Sequence, residues 1–207
     1  LDLPQKVMDF IRGGNCAAPT PSDPRFAENS VRLVASAAAS LEAAVEAACA
    51  AGVEAVILSD AMEGEASEVG RVHAAIAREI AVRNRPFKKP VIIFSGGETT
   101  VTIKEEGRSK GKGGRNSEFL LSLALGIDGY LGVSALAADT DGIDGSEDNA
   151  GAFADGTSIA RLAANNIDAA ALLDRNDSWS AFDAIGDIFK PGPTGTNVND
   201  FRAILVQ

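Results

Sequence analysis

Val91-Ile92-Ile93-Phe94, followed directly by Ser95-Gly96-Gly97-Glu98 and the β-branched run Thr99-Thr100-Val101-Thr102-Ile103, decides how this chain folds. Four consecutive large apolar residues have strand length and no helical period, so they predict a strand buried on both faces. The glycine pair behind them has two readings. Gly-Gly between two β-branched runs is a hairpin signal, and a glycine-rich turn at a strand end is also a place for Glu98 and Thr99 to face a ligand. Both stay open. Upstream, Val53 to Leu58 is a second short apolar run, with Ser59 and Asp60 at its C-terminal end. Between the two runs, Ser67 to Arg83 predicts a helix with Val69, Val72, Ile76 and Ile80 on one face. Ser30 to Ala51 is dense in alanine and predicts a long helix stopped by Gly52.

Downstream the alternation continues. Lys104 to Gly114 is a charged, glycine-rich loop, and Asn116 to Leu125 a helix with Asn116 as N-cap and Glu118 in its first turn. Leu131 to Ala138 is strand-like, Thr157 to Ala164 and Ser178 to Ile185 are helices, and Arg202 to Val206 closes as a strand. Short apolar strands alternating with helices predict an α/β fold, a mostly parallel sheet flanked by helices with loops gathered at strand ends. Leu1 to Gly14 reads as a short helix, and Ala17 to Pro24, with three prolines, as a linker or exposed crossing segment.

Size and charge narrow the possibilities. A chain of 207 residues with 45% hydrophobic and 23% charged residues has the make-up of an ordinary globular protein. A net charge of −10 argues against nucleic acid or an anionic membrane as partner, though a local Arg or a metal can reverse the sign within one cleft. No apolar run approaches the ~20 residues of a membrane-spanning helix, and no signal peptide opens the chain. Cys16 and Cys49 fit no metal or redox spacing; two idle thiols point to the cytoplasm.

Three polar loops sit at the ends of apolar runs: Gly113-Gly114-Arg115-Asn116-Ser117-Glu118, Asp139-Thr140-Asp141-Gly142-Ile143-Asp144-Gly145, and Gly192-Pro193-Thr194-Gly195-Thr196-Asn197-Val198-Asn199-Asp200. In the first, glycines ahead of a helix N-terminus form a partly positive pocket for phosphate or carboxylate, and Arg115 adds a bidentate fork. An ordinary capped loop is the plain alternative. In the second, carboxylates recur at metal-site spacing. An EF-hand is excluded because Ile143 stands at the fifth position, whereas Mg²⁺ needs only one or two carboxylates beside water and phosphate. Asp141 could instead act as a general base, or the segment could be an exposed turn. The third loop can wrap an anion with backbone N–H groups and Thr or Asn side chains, or simply lead into the last strand. Asp60 ends a strand where α/β sites usually lie. His73 sits mid-helix at the boundary of the apolar face. Lys110 and Lys112 belong to a solvated loop, with closure over a nucleotide as the alternative. No G-x-x-x-x-G-K-[ST] and no G-x-G-x-x-G occurs, which excludes a P-loop kinase and a recognisable Rossmann site.

These three loops together with Ser95-Gly96-Gly97-Glu98-Thr99-Thr100-Val101 resemble the signature of the type II glycerate kinases, whose C-terminal region is called MOFRL. The match is in order and runs from about Ser95 to Val206; the first ninety or so residues match only loosely. The resemblance implies the C-terminal domain of a two-domain enzyme that uses ATP and Mg²⁺ to phosphorylate D-glycerate to 2-phosphoglycerate. It implies Arg115 and Asp141 as catalytic residues. Substrate or nucleotide would be bound by Gly96, Gly97, Glu98, Gly114, Asn116, Thr194, Thr196, Asn197 and Asn199, and metal by Asp141 and Asp144. Residues 1–29 would then connect to an N-terminal domain missing from this chain, and residues 30–207 would form the C-terminal α/β domain. Implied partners are a sugar acid, a nucleotide and that missing domain, with a homodimer left open. Two alternatives remain: a nicotinamide-dependent hydroxypyruvate reductase, and a non-catalytic domain that binds an anionic metabolite.

Overall fold

The structure, a computed structural model, describes residues 3–14, 18–103 and 111–207. Cys16, Lys110 and most of the expected 104–114 loop lie outside the described residues. The chain divides into two compact units, Leu1–Val34 and Ala35–Gln207. The first holds α1 (Gln5–Arg12), which buries no residue, and a short 3₁₀ turn at Pro24–Phe26 whose N-terminal N–H of Arg25 is taken by the Asp23 side chain.

The second unit opens with α2 (Ala37–Ala50), capped by the Ser36 hydroxyl, which accepts from the Ala39 N–H at 3.1 Å. Residues 30–35, expected to be helical, stay irregular: Ser36 supplies the capping oxygen and starts the helix there. There follow β1 (Glu54–Ile57), β2 (Met62–Glu65), α3 (Ala66–Arg83), β3 (Val91–Thr100), α4 (Arg115–Gly126) and β4 (Val133–Asp139). The remainder is β5 (Gly151–Asp155), α5 (Ser158–Ala164), α6 (Ala169–Asp174), α7 (Ser178–Ile185), β6 (Ile188–Phe189) and β7 (Asp200–Val206). Cys49 lies exposed as a free thiol on α2.

One sheet carries all these strands in the order β1-β3-β7-β4-β5-β6, with β2 also paired to β3. The expected α/β class and flanking helices are present; the mostly parallel sheet is not. β1 and β2 run parallel to β3, while β3–β7, β4–β7, β4–β5 and β5–β6 are antiparallel. The cause lies in β7. The unit β3–α4–β4 is a genuine crossover whose two strands point the same way, as helix–strand alternation implies. They are not neighbours, because β7 lies between them and runs opposite to both.

β3 also corrects the hairpin reading of Gly96-Gly97. The strand runs unbroken through both glycines, pairing first with β1 and then with β2. Gly97 has φ +131°, and a Cβ there would stand 2.2 Å from the Met62 backbone, so glycine is what lets β2 pair alongside.

Helices cover both faces. Leu41 and Ala48 of α2 pack on Phe94 on one side. On the other, α3 and α4 form the main core with Ile93, Ile204 and Val206. α4 is the central element: every residue from Asn116 to Ala124 is buried. Of the expected face of α3, Ile80 is in the core and Val69 and Ile76 pack against it, while Val72 faces outward at 58% exposure; α3 meets α4 closely at Gly70 and at Ala74. Small residues let the two helix backbones come close.

Candidate functional site

The site is built where β3, β4, β7 and α4 end together. Asp200, first residue of β7, is the register partner of both Gly97 on β3 and Asp139 on β4. Arg115 is the first residue of α4 and reaches all three strands. Its Nε donates to Asp200 Oδ1 at 2.7 Å, Nη2 to Asp139 Oδ2 at 2.7 Å, and Nη1 to Glu98 Oε1 at 2.9 Å. A guanidinium has five N–H donors, so one remains on each terminal nitrogen for an incoming anion. Burial works against the Arg115 charge, but Asp200, Asp139 and Glu98 together hold its pKa above the ordinary value. Desolvation pushes Asp139 up to about 6, against the pull of the Asp141 N–H and of Arg115.

Asp141 joins the same group, because its backbone N–H donates to Asp139 Oδ1 at 3.2 Å. Arg115 and Asp141 are thus linked through one carboxylate, on one edge of the sheet. Asp141 Oδ1 accepts from the Ile143 N–H at 2.8 Å, and among the described residues Oδ2 has only Asn197 Nδ2 at 3.5 Å. The acidic loop and the loop before β7 are clasped together. Thr140 Oγ1 donates to the Asn199 carbonyl at 2.7 Å and accepts from the Val198 N–H at 2.8 Å. Thr194 Oγ1 donates to the Thr140 carbonyl at 2.5 Å. Gly142, at φ +96°, makes this possible: a Cβ would come within 2.3 Å of the Gly192 carbonyl oxygen.

Several expected site residues have other work. Asp144 is buried beneath α4, where Oδ1 accepts from the Asn116 N–H at 2.9 Å and Oδ2 from the Ser117 N–H at 2.8 Å and Ser117 Oγ at 2.7 Å. The positive helix N-terminus read from Gly113-Gly114 is real, but the carboxylate seated on it is the chain's own. Asp144 thus caps α4, and burial raises its pKa despite those bonds. Asn116 is not the N-cap; that position falls to Gly114. Asn116 lies inside the first turn, and its Nδ2 donates to Asp200 Oδ1 at 2.8 Å. Gly96 and Gly97 are buried within β3, while Glu98 is exposed beside Arg115. The Thr196 N–H donates to Thr194 Oγ1 at 3.4 Å, and the Asn199 N–H to Asn197 Oδ1 at 3.3 Å, so both serve the loop's own shape.

Outside this group, Asp60 is exposed after β1. Lys112 is tied down, with its N–H on Asp177 and its ammonium 4.8 Å from the Trp179 ring centroid. His73 is a core residue, not a boundary one: 2% exposed, edge-on to Phe119, with burial lowering its pKa. Its Nδ1–H donates to the Val69 carbonyl at 2.8 Å, so Nε2 accepts from Ser95 Oγ–H at 3.0 Å. Among the described residues, no group of three or more His, Cys, Asp or Glu side chains could hold a metal ion. Mg²⁺ does not require such a cage, and Asp141 Oδ2 has one long contact, with Asn197, among the described residues.

The family model described as the MOFRL family matches residues 91–200, the segment that carries all of these loops. The chain belongs to the MOFRL family. A protein of Agrobacterium vitis named "Putative hydroxypyruvate reductase" is 47% identical over 209 residues, covering 100% of this chain and 52% of its own length. The glycerate 2-kinase of Pyrococcus horikoshii is 42% identical over 174 residues, covering 84% of this chain and 39% of its own. The crystal structure of glycerate kinase from Thermotoga maritima superposes with a TM-score of 0.82 at 38% identity, covering 86% of this chain and 42% of that one. The glycerate kinase family recognised in the motifs is thus the one to which this MOFRL chain belongs. The chain spans about half the length, or less, of these curated relatives.

Sequence reasoning missed three side chains of the MOFRL site: Asp139, Asp200 and Arg202. One signal was available. In β7, residues 200, 202, 204 and 206 share a face, so a strand expected to bury Ile204 and Val206 also buries Asp200 and Arg202. Opposite charges two apart on a core-facing phase mark a buried ion pair, here 2.6 Å between Arg202 Nη2 and Asp200 Oδ2.

Proposed function

We propose that this chain supplies the C-terminal half of an ATP- and Mg²⁺-dependent kinase that phosphorylates D-glycerate to 2-phosphoglycerate. The observation that carries the reading is the convergence of Arg115, Asp139, Asp141 and Asp200 on one sheet edge. The resemblance to glycerate 2-kinases supports it from outside. Mg²⁺ with ATP supplies the transferable phosphoryl group and neutralises its charge.

The chain's own groups then have distinct tasks. Asp141 Oδ2 accepts the proton of the attacking hydroxyl, or holds the metal; either use needs the free oxygen it presents. Arg115 offers its two remaining N–H donors to the glycerate carboxylate or to the transferring phosphate. Carboxylates outnumber Arg115 around it, so anion and cation should enter together: the site is too acidic to hold a bare anion well. The Thr194–Asn199 loop is clasped to the acidic loop beside these residues. Residues 1–29 connect in this reading to an N-terminal domain, and 30–207 form the C-terminal one. The cytoplasm, where ATP and Mg²⁺ are supplied, is the expected compartment; no helix among the described residues is long and apolar enough to cross a membrane.

A product-resolved assay of the full-length protein with D-glycerate and Mg-ATP tests this directly. Phosphate on the 2-hydroxyl, dependent on Mg²⁺, is the expected result, and 3-phosphoglycerate would correct the position. The names of the Agrobacterium vitis relatives favour a second reading, hydroxypyruvate reduction. NADH oxidation with hydroxypyruvate, in the absence of ATP, would establish that reading instead.

A further inference from the structure

We propose that Arg202 is a positioning residue for this site: acting through Asp200, it fixes the orientation in which the Arg115 guanidinium is presented to a substrate anion.

Arg202 is the largest fully buried side chain of the described residues, at 0% exposure in the middle of the sheet. Its neighbours offer it little. Nη2 donates to Asp200 Oδ2 at 2.6 Å and Thr99 Oγ1 at 3.1 Å, and Phe119 presents its ring 5.0 Å away. Nε and Nη1 have no hydrogen-bond partner among the described residues. Ser95, its register partner on β3, gives its own proton to His73. Asp200 is thus its one ion-pair partner among the described residues.

Such an arrangement is a poor way to make a protein stable. A buried ion pair often loses nothing when apolar residues of similar volume replace it, and each buried donor left unpaired is costly. What Arg202 does change is Asp200. That carboxylate is held on both oxygens: Oδ1 by Arg115 Nε and Asn116 Nδ2, Oδ2 by Arg202 Nη2 and, at 3.5 Å, the Thr99 N–H. Its plane is therefore set from below by β7 and β3, and Arg115 Nε takes its direction from that plane. With Arg202 gone, Asp200 would have Arg115 as its only cationic partner, and Arg115 is already shared with Glu98 and Asp139. Asp200 Oδ2 would keep only the long Thr99 N–H contact, its plane would be held less firmly, and the two N–H groups that Arg115 keeps for a ligand would shift with it.

The activity arm rests on the kinase reading; the spectroscopic arm does not. Arg202→Met removes the charge and the contact with Asp200, and Arg202→Lys keeps the charge on a stem one bond shorter, so its ammonium reaches Asp200 and Thr99 less well than Nη2 does. In the ¹⁵N-labelled chain, the Arg115 Nε–H signal should be sharp and slow to exchange in wild type, weaker in Arg202→Lys, and broadened in Arg202→Met. Thermal unfolding should put Arg202→Met below wild type, because Asp200 stays buried with one of its two cationic partners gone, so the melting temperature does not judge the proposal. In the full-length protein, kcat for glycerate should fall in the same order, by ~10- to 100-fold for Arg202→Met, since about 1 Å of misplacement costs that much. KM should move less. An Arg115 signal that stays as in wild type in Arg202→Met overturns the proposal, whether or not the melting temperature drops. If Arg202→Met does not fold, the same signal in Arg202→Lys decides in the same way. A wild-type protein with no glycerate kinase activity would remove the kinase reading and leave the Arg115 signal to judge Arg202.

Discussion

Arg115 spends three of its five N–H donors on carboxylates before any ligand arrives, so its replacement should disturb both the site and its surroundings. Arg115→Lys in the full-length protein should lower kcat/KM by roughly 100-fold or more, because an ammonium cannot reproduce three divergent contacts and still offer a fork. Asp141→Asn should cost about 10²–10⁴-fold in turnover with an unchanged melting temperature, the range for losing a general base or metal contact. Steady-state rates within threefold of wild type for both would place the chemistry elsewhere. Asp139 gives a pH signature in stability. Its pKa is about 6 in the fold and near 3.9 unfolded. Between those values the native state binds the extra proton, so its contribution declines as pH rises from about 4 to about 6 and then levels off. Urea titrations across that range should show the decline, and Asp139→Asn should flatten it. Arg115 and Asp141 were singled out through the family resemblance of their glycine-flanked loops, and the structure brings both to one sheet edge. Asp139, Asp200 and Arg202 were not singled out, because their meaning comes from partners about a hundred residues or less away in sequence and across the sheet in space.

At the scale of elements, α4 begins on a carboxylate borrowed from a distant loop. Asp144 satisfies the Asn116 and Ser117 N–H groups and the Ser117 hydroxyl, all buried. Asp144→Ala should therefore destabilise the chain by more than the ~1 kcal/mol of an ordinary exposed cap, on the order of 2–3 kcal/mol, read from chemical denaturation. A loss under half a kcal/mol would mean water replaces the carboxylate freely. Some helix positions were well signalled: α7 has the expected bounds and α3 starts one residue early, whereas α2 begins seven residues late and α6 was not expected. Strand pairing was not signalled. Apolar runs announce strands but not their neighbours, and a strand returning after three further helices can enter any gap that accepts its two faces. β2, with the sequence Met62-Glu63-Gly64-Glu65, carries no apolar alternation and forms because Gly97 lets it approach.

On the scale of the whole molecule, the second unit has its own sheet and a core reaching both faces, so the 207-residue chain should fold when made alone, with a cooperative thermal transition. It should show no glycerate kinase turnover, because in-line phosphoryl transfer needs donor and acceptor held together and the sequence shows no recognisable nucleotide motif. Glycerate-dependent ADP production by this chain alone would overturn that division of labour. The family and its α/β class were legible in four short motifs; the acidity of the site was not, since it arises only when the sheet brings three loops together. β7 has a consequence for assembly as well as for geometry. It pairs Val206 with Val91 on one side and with Val133 on the other, and Asp200 with both Gly97 and Asp139. Until that segment arrives, β3 and β4 stand apart with a strand-wide slot between them, each presenting unpaired backbone along its length. Pairings so distant in sequence form late, which should make this a slow folder whose half-assembled sheet can be filled by the wrong strand, including one from another copy.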